Sequence, residues 1–218
     1  MAMENKPYVI GLDLGGTNSV FGIVNSEGSV VTSTSIRTKG QNDLDVYMDS
    51  ACAALAPMIE QVGGIQNIKG MGIGAPNGNY YTGTIEFAPN LPWKGILPLA
   101  AMFEERLGIP TALTNDANAA ALGEWYYGAG KKAPNMVMIT LGTGVGGGIV
   151  INGKIIEGVN GSAGELGHIK IYPYSGRKCT CGLVGCLETY TSAVGIVNTA
   201  LEEKDGKLTS LNNFDNSH

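Results

Sequence analysis

The chain has 218 residues, enough for one large domain or two small ones, and it carries 33 glycines but only 15% charged residues. Its net charge is −5 and no cluster of basic residues occurs, which argues against nucleic acid as a partner. No stretch is long and apolar enough to cross a bilayer, and residues 1–7 lack the pattern of a signal peptide. We therefore expect a cytoplasmic protein without a membrane partner.

The first part of the chain predicts four strands and one long helix. Short apolar segments separated by turn residues indicate the strands, with a hairpin at Asn25–Gly28. The predicted strands are residues 8–13, 19–24, 29–36 and 68–73. Apolar residues at helical spacing predict a helix over residues 44–62, which Asn42-Asp43 would cap.

A similar pattern recurs later in the chain. Strands are predicted at residues 136–140, 148–151 and 154–156, with a hairpin at Asn152-Gly153 between the last two. Two units of strand, glycine turn, strand, hairpin and strand indicate an internal duplication with one glycine loop in each unit, and two such loops can clasp a triphosphate between two lobes. We expect a first α/β lobe over residues 1–114 and the start of a second over residues 115–218.

The second lobe is expected to be incomplete. Residues 189–201 predict one helix, and a polar tail follows at residues 202–218. This tail leaves no room for strands equivalent to the last strand of the first unit.

The glycine-rich loops Gly15–Asn18 and Gly142–Gly144 are candidate phosphate-binding sites. With Gly147, the second loop matches a dinucleotide-binding fingerprint, but that motif requires a following helix and a strand is predicted here. What remains is a set of backbone N–H groups that can hold anionic oxygens. Tight hairpins that bind no ligand are the alternative interpretation.

Two aspartates stand at the ends of apolar segments. Asp13 ends the first strand, where a carboxylate beside glycine N–H groups can position Mg²⁺, usually through water. Asp116 precedes a helix predicted at residues 117–125 and could accept a hydroxyl proton in a transfer reaction. Turn capping by Asp13 and helix capping by Asp116 are the ordinary alternatives, and the sequence leaves both open.

One histidine and three clustered cysteines form a candidate metal site. His168, Cys179, Cys181 and Cys186 offer one nitrogen and three sulfur donors, which suits a tetrahedral, structural Zn²⁺. Reduced cysteines without a metal are the alternative.

Two glutamates flank this candidate metal site in the sequence. A metal that fixed the loop would present Glu165 and Glu188 to a polar ligand such as a polyol, whereas solvated side chains are the alternative. The fourth cysteine, Cys52, lies in an alanine-rich run and is expected to be a buried small hydrophobe.

Together these segments resemble the ROK family (repressor, open reading frame, kinase), and within it the bacterial sugar kinases, with glucokinases as the most similar group. The resemblance covers nearly the whole chain and is specific, because the glycine and histidine positions from Leu141 to His168 fit the family signature. The matching segments are Asp13–Thr17, Gly74–Pro76, Asn90–Trp93, Asn115–Ala120, Leu141–His168 and Cys179–Glu188.

The resemblance implies an α/β fold of the actin-like ATPase (ribonuclease H-like) type, with two lobes around a cleft. It implies ATP-dependent phosphorylation of a hexose, glucose to glucose 6-phosphate first of all, and a homodimer. N-acetylmannosamine and N-acetylglucosamine kinases share the same core. The choice of sugar therefore stays open, and so does a non-catalytic sugar-binding regulator.

The resemblance also implies a role for each site residue, with Asp116 as the catalytic base. The implied hexose contacts are Asn90, Asn115, Asp116, Glu165, His168 and Glu188. The implied contacts to ATP phosphates and Mg²⁺ are Asp13, Gly15, Gly16, Thr17, Asn18, Gly142, Thr143 and Gly144. The implied Zn²⁺ ligands are His168, Cys179, Cys181 and Cys186.

Two features of the sequence bear on the choice between a kinase and a repressor. Family repressors carry a DNA-binding helix-turn-helix ahead of the sugar-binding region, and a first strand near Tyr8 leaves no space for one. Asp13 and Asp116 also favour a kinase. Family kinases continue with glycine-rich segments that hold adenosine, which are missing after Leu201, so we expect weak or absent kinase activity in this chain.

Overall fold

The structure is a computed structural model, and it describes residues 6–159 and 161–204. The chain divides into two compact units: unit 1 comprises Met1–Val137 and Gly148–Ala163, and unit 2 comprises Met138–Gly147 and Gly164–His218. The lobe boundary expected after residue 114 stays a prediction. Of the predicted polar tail, residues 205–218 lie outside the described residues.

Strands dominate the first two thirds of the described chain and helices the last part. The strands are β1 (Tyr8–Leu14), β2 (Asn18–Asn25), β3 (Val30–Arg37), β4 (Ile68–Ala75), β5 (Gly78–Asn79), β6 (Thr84–Glu86), β7 (Ile96–Leu97), β8 (Thr111–Asn115), β9 (Asn135–Leu141), β10 (Val145–Ile151) and β11 (Lys154–Ile155). The α-helices are α1 (Leu44–Gln61), α2 (Leu99–Leu107), α3 (Asp116–Tyr126), α4 (Glu188–Thr191) and α5 (Ala193–Lys204). Single-turn 3₁₀ helices lie at Ile65–Asn67 and Leu166–His168. Among the described residues, no helix combines the length and the apolar character that crossing a membrane requires.

Unit 1 is built on a five-stranded mixed sheet with the order β3-β2-β1-β4-β8. β1, β2 and β3 are antiparallel neighbours joined by short turns. β4 runs parallel to both β1 and β8, and parallel neighbours need crossover connections, which α1 and α2 provide. The carboxyl ends of β1, β4 and β8 therefore meet at one edge of the sheet. Two smaller sheets have the orders β5-β6-β7 and β11-β10-β9.

The core of unit 1 joins the sheet to α1 and α2. Alternate β1 residues, such as Ile10 and Leu12, are buried in one cluster with Leu55 of α1 and Phe103 of α2. Burial of such side chains stabilises the fold by roughly 1.5–3 kcal/mol each. The sheet edge that carries polar residues is thus supported by a packed apolar layer.

Most predicted elements are confirmed. The strands predicted in unit 1 and the helix predicted at residues 44–62 are present, and the side chain of Asp43 caps that helix. The strand that follows the second glycine loop is β10, so the loop lacks the helix of a dinucleotide site. Asn152 and Gly153 have φ angles of 50° and 74°, as a two-residue hairpin turn of type I′ requires.

The structure decides one alternative that the sequence left open and corrects two predictions of detail. Asn115 caps α3, whereas Asp116 is the first helical residue. The single helix predicted at residues 189–201 is interrupted at Ser192, which has extended backbone angles between α4 and α5. Cys52 is only half-buried. The sequence analysis did not predict α2 or the small β5-β6-β7 sheet.

Candidate functional site

Asp13 lies near the carboxyl end of β1, close to Asp116 in unit 1. In the sheet register Asp13 pairs with Gly74, and Gly74 pairs with Thr114, two residues before Asp116. Solvent reaches Asp13, yet protein atoms around its carboxyl group displace enough water to raise its pKa, and the negative charge of Asp116 raises that pKa further. Neighbouring carboxylates at an open sheet edge are suited to hold a divalent cation or to accept a proton.

The first glycine loop joins β1 to β2 and lies against Asn90. The N–H of Gly15 donates to the carbonyl of Asn18 at 3.0 Å, which closes the turn. A Cβ atom on Gly16 would lie 2.5 Å from the backbone oxygen of Asn90, so the approach requires glycine. The loop Gly15–Asn18, including Thr17, and the predicted sugar contact Asn90 are therefore neighbours, although they lie far apart in the sequence.

Asn115 and Asp116 lie where β8 ends and α3 begins. Asn115 Oδ1 accepts hydrogen bonds from the N–H groups of Ala117 at 2.8 Å and Asn118 at 3.4 Å. The Asp116 carboxylate is exposed at the first turn of the helix, where the helix dipole favours a negative charge. The Ala117 N–H also donates to Asp116 Oδ1 at 2.8 Å, so one carboxylate oxygen of Asp116 is held by the backbone while the residue stays exposed to solvent and accessible to a ligand.

Glu157 is a site residue that the sequence analysis missed. It follows β11, is only 6% exposed, and its carboxylate accepts hydrogen bonds from Thr114 Oγ1 at 2.9 Å and Asn118 Nδ2 at 2.8 Å. These partners lie on both sides of Asn115 and Asp116. The available signal was a single acidic residue directly after an apolar run in the segment from Ile149 to Gly164.

In unit 2, the second glycine loop is bonded to Glu188. Glu188 Oε2 accepts a hydrogen bond from the Val145 N–H at 2.9 Å, and the N–H of Ala193 donates to the carbonyl of Gly142 at 2.8 Å. Gly142 and Thr143 are exposed, while Gly144 lies against the Glu188 carboxylate. The predicted phosphate loop and a predicted sugar contact are thus in direct contact.

The turn Gly164–His168 packs tightly against the start of β10. A Cβ atom on Gly147 would lie 2.6 Å from the backbone oxygen of Gly164, and one on Gly167 would collide with the backbone oxygen of Val145. These close approaches require glycine, and they place Glu165 and His168 beside the second glycine loop.

The four predicted metal ligands converge in unit 2. The ligand atoms of His168, Cys179, Cys181 and Cys186 all lie within 4.8 Å of one another. His168 Nδ1 is 3.6 Å from Cys179 Sγ, and the sulfur atoms of Cys181 and Cys186 are 3.7 Å apart. A tetrahedral zinc ion with Zn–S bonds of about 2.3 Å separates its ligands by about 3.5–3.8 Å. Donor set and spacing therefore fit this ion.

The cysteines of the cluster differ in how readily their thiols lose a proton. Burial raises the pKa of Cys179 to about 11, whereas a hydrogen bond from the Leu183 backbone lowers the pKa of Cys181. Lys170 Nζ donates to Cys186 Sγ at 3.3 Å. A bound cation would replace the thiol protons and stabilise the thiolates.

Both predicted sugar-binding glutamates contact this cluster. The second ring nitrogen of His168, Nε2, lies 3.9 Å from Glu165 Oε2, which is within ion-pair range but longer than a hydrogen bond. Cys179 Sγ lies 3.9 Å from Glu188 Oε1. Each unit thus brings its own predicted site residues together, and the roles of these residues stay predictions.

Comparisons with known proteins identify the family to which this chain is similar. A family model described as "ROK family" matches residues 9–216. A glucokinase of Halalkalibacterium halodurans is 43% identical over 205 residues, which are 92% of this chain and 61% of that protein. A crystal structure of a ROK family glucokinase from Streptomyces griseus, in complex with glucose and AMPPNP, matches with a TM-score of 0.75 and 38% identity, over 92% of this chain and 62% of that chain. A xylose repressor of Bacillus subtilis is 31% identical over 211 residues, which are 95% of this chain and 54% of that protein.

The chain spans 61% of the length of the Halalkalibacterium glucokinase. Over that span its α/β fold is that of the ROK sugar kinases, the actin-like ATPase type. Since the family model matches nearly all of its residues, the chain belongs to the ROK family.

Proposed function

We propose that this chain transfers the terminal phosphoryl group of ATP to a hexose hydroxyl, with glucose as the first candidate. The observation that supports this most is the pair Asp13 and Asp116 at one edge of the unit 1 sheet, beside the loop Gly15–Asn18. Phosphoryl transfer depends mainly on positioning and charge stabilisation. This edge offers a proton acceptor and a set of phosphate-binding amides.

In this proposal Asp116 accepts the proton of the attacking sugar hydroxyl. Its carboxylate is exposed at the start of α3, while Asn115 fixes the first helical turn. A base held on a rigid helix start is well placed for such a transfer, because its position is set by backbone hydrogen bonds. The same cap leaves the amide nitrogen of Asn115 to donate to a sugar hydroxyl.

The phosphates are held by the two glycine loops in this proposal. The N–H groups of Gly15–Asn18 and Gly142–Gly144 would receive phosphate oxygens, and Asp13 would be the residue that holds Mg²⁺. When bound, Mg²⁺ would neutralise part of the phosphate charge.

Five further side chains recognise the sugar in this proposal: Asn90, Asn115, Glu165, His168 and Glu188. Hydrogen bonds to ring hydroxyls discriminate epimers, because a misplaced hydroxyl leaves a buried partner unsatisfied. The glucokinase relatives support glucose. N-acetylmannosamine and N-acetylglucosamine remain the alternatives, and the first is supported by a solved structure 27% identical to this chain whose description reads "a putative N-acetylmannosamine kinase".

Zinc has a structural role in this proposal. His168 and the three cysteines fill a tetrahedral coordination sphere and leave no open position for chemistry. The ion would fix the turn Gly164–His168 and the start of α4, and through them both sugar-binding glutamates.

A non-catalytic sugar-binding regulator is the second candidate. It is favoured by the similarity to the Bacillus subtilis xylose repressor, which extends over 95% of this chain. In that case the sugar-binding residues would be used and Asp116 would have no chemical role.

ADP release in the presence of glucose, N-acetylglucosamine or N-acetylmannosamine distinguishes the two candidates. A kinase releases ADP only with its sugar, and Asp116→Asn abolishes this release. If no sugar stimulates ADP release while calorimetry detects sugar binding, a truncated or regulatory sugar-binding fragment replaces the kinase. If the chain neither binds sugar nor releases ADP, both candidates are contradicted.

A further inference from the structure

A buried carboxylate contacts the segment that carries Asn115 and Asp116. Glu157 Oε1 accepts a hydrogen bond from the Thr114 hydroxyl at 2.9 Å. Its Oε2 lies 3.1 Å from the same hydroxyl and accepts a second hydrogen bond from Asn118 Nδ2 at 2.8 Å. Glu157 is therefore held by two donors that are 43 and 39 residues away in the sequence.

The two residues that donate to Glu157 lie on different secondary-structure elements. Thr114 belongs to β8, and Asn118 lies in the first turn of α3. One carboxylate thus spans the junction at which the chain turns from strand to helix. Asn115 and Asp116 lie between the two donors, so their backbone positions depend on how this junction is held.

The hydrogen bonds to Glu157 are strong because the carboxylate is desolvated. Glu157 is 6% exposed, and within residues 6–159 and 161–204 it has no ion-pair partner. A buried charge is tolerated only when hydrogen bonds replace its hydration. Thr114 and Asn118 provide that replacement, and charge-assisted hydrogen bonds of this kind constrain geometry closely.

The backbone around Glu157 is itself fixed against α3. The carbonyl of Glu157 accepts a hydrogen bond from the Ala163 N–H at 3.1 Å. In β10, a Cβ atom on Gly148 would lie 3.1 Å from the carbonyl oxygen of Ala117 and would collide with Ala121, so this strand packs very closely on α3. The N–H of Ile156 donates to the carbonyl of Ile149 in β10 at 2.8 Å, so Glu157 directly follows a residue that is bonded to this strand.

We propose that Glu157 is a positioning residue that fixes the orientation of Asn115 and Asp116 by bridging Thr114 and Asn118. It contacts neither sugar nor nucleotide. The effect on catalysis rests on the proposed function, whereas the effect on local structure does not. Loss of the bridge frees the junction between β8 and α3, and the Asp116 carboxylate then leaves the geometry that proton transfer requires.

Hydrogen exchange at the Ala117 amide tests the bridge directly, because this amide donates to both Asn115 Oδ1 and Asp116 Oδ1 at 2.8 Å. We expect Glu157→Ala to accelerate its exchange roughly tenfold or more, relative to the amide of Leu55 in α1. Glu157→Gln retains an oxygen that accepts a hydrogen bond from Asn118, and its amide N–H can donate to the Thr114 hydroxyl oxygen. It should therefore protect the Ala117 amide better than Glu157→Ala does. Equal exchange in Glu157→Ala and the parent chain would overturn the proposal.

Glu86 provides a matched control. Its carboxylate also accepts from an asparagine and from threonines, with Asn79 Nδ2 at 2.9 Å and Thr84 Oγ1 at 3.0 Å, but it does not bridge the Asn115-Asp116 segment. Glu86→Ala is expected to leave the exchange of the Ala117 amide within about twofold of the parent value. Equal acceleration by Glu86→Ala and Glu157→Ala would show general loosening and would contradict the proposal.

A second variant keeps the test decisive if Glu157→Ala does not fold. Thr114→Val removes one donor with little change of shape. It is expected to accelerate exchange at Ala117 by about threefold or more, because one hydrogen bond to a buried charge is lost. Unchanged exchange in this variant would overturn the proposal as well.

Steady-state kinetics then test the consequence for catalysis. We expect Glu157→Ala to lower kcat for sugar-dependent ADP release by about 10–100-fold, because a small misplacement of a reacting group is costly. KM for the sugar should change by less than about threefold, since Glu157 does not touch it. A rise in KM with unchanged kcat would contradict a role through Asp116. If the parent chain releases no ADP, the proposed function fails, and the exchange measurement still decides whether Glu157 holds the junction.

Discussion

Among single residues, Tyr47 shows how a polar group behind the first glycine loop is satisfied. Its hydroxyl lies 2.8 Å from Ser19 Oγ, which lies 2.8 Å from Thr38 Oγ1, and all three side chains are buried. Tyr47→Phe removes one hydrogen bond and is expected to destabilise the chain by about 1 kcal/mol at neutral pH. Urea unfolding measures this loss, and Tyr81→Phe is the control, since Tyr81 is 64% exposed.

At alkaline pH the stability difference between Tyr47→Phe and the parent chain is expected to shrink. Burial raises the pKa of Tyr47 from 10.0 to about 12, although its hydrogen bond with Ser19 lowers the pKa in part. Between these values the folded state holds a proton that the unfolded state has released, so stability falls as pH rises. Tyr47→Phe lacks this loss, and its stability should approach that of the parent above pH 10. A constant difference across this range would contradict the burial of the hydroxyl.

We expect Asp13 to lower the stability of the folded chain at neutral pH and to contribute to the proposed phosphoryl transfer. Its pKa is raised in the folded state, so the charged form is disfavoured there, and stability falls as pH rises from the ordinary aspartate pKa toward the folded value. Asp13→Asn should therefore melt at a higher temperature than the parent at pH 7, and the gain should vanish in acid. Sugar-dependent ADP release should fall on the order of 10²-fold. Unchanged ADP release by Asp13→Asn would contradict a role of Asp13 in the proposed reaction.

At the scale of elements, local patterns predict strands such as β1, β2, β3 and β9 because most of their residues alternate between a more buried and a more exposed face. They fail where two residues suit one position equally well: both Asn115 and Asp116 are good caps, and only the packed helix shows that Asn115 is used. The break at Ser192 has no proline or glycine to mark it. Glu157 escaped prediction because its partners come from distant segments, and spatial contacts of this kind leave no local signal.

Arg177 joins the elements of unit 2. Its guanidinium donates to the carbonyls of Thr189 at 2.8 Å and Gly195 at 2.9 Å, and lies 4.6 Å from the ring centre of Tyr190. It therefore holds the cysteine loop against α4 and α5.

Replacing Arg177 should loosen this connection. Lysine cannot make the two carbonyl contacts and the ring contact together, so Arg177→Lys is expected to lower the melting temperature by several degrees. Arg106→Lys is the matched control, because Arg106 pairs with the exposed Asp45 at 2.9 Å, and surface pairs contribute little. Equal effects of the two variants would show that Arg177 does not hold unit 2 together.

At the scale of the whole molecule, zinc content decides whether the cysteine cluster is a metal site. We expect the purified chain to contain about one zinc ion per molecule. Cys186→Ser should lose the metal and Cys52→Ser should retain it, as elemental analysis would show. A chelator should lower the melting temperature of the parent chain but not that of Cys186→Ser. If zinc is absent from the parent chain as well as from both variants, the proposed metal site is contradicted.

The decisive measurement for the proposed phosphoryl transfer is sugar-dependent ADP release by this chain and by Asp116→Asn. Asp49→Asn is the control, because Asp49 is an exposed acidic residue in α1. We expect weak release that requires a hexose, persists in Asp49→Asn and falls by at least about 10²-fold in Asp116→Asn. Turnover that survives in Asp116→Asn, or ADP release that is the same with and without sugar, would contradict the proposed phosphoryl transfer.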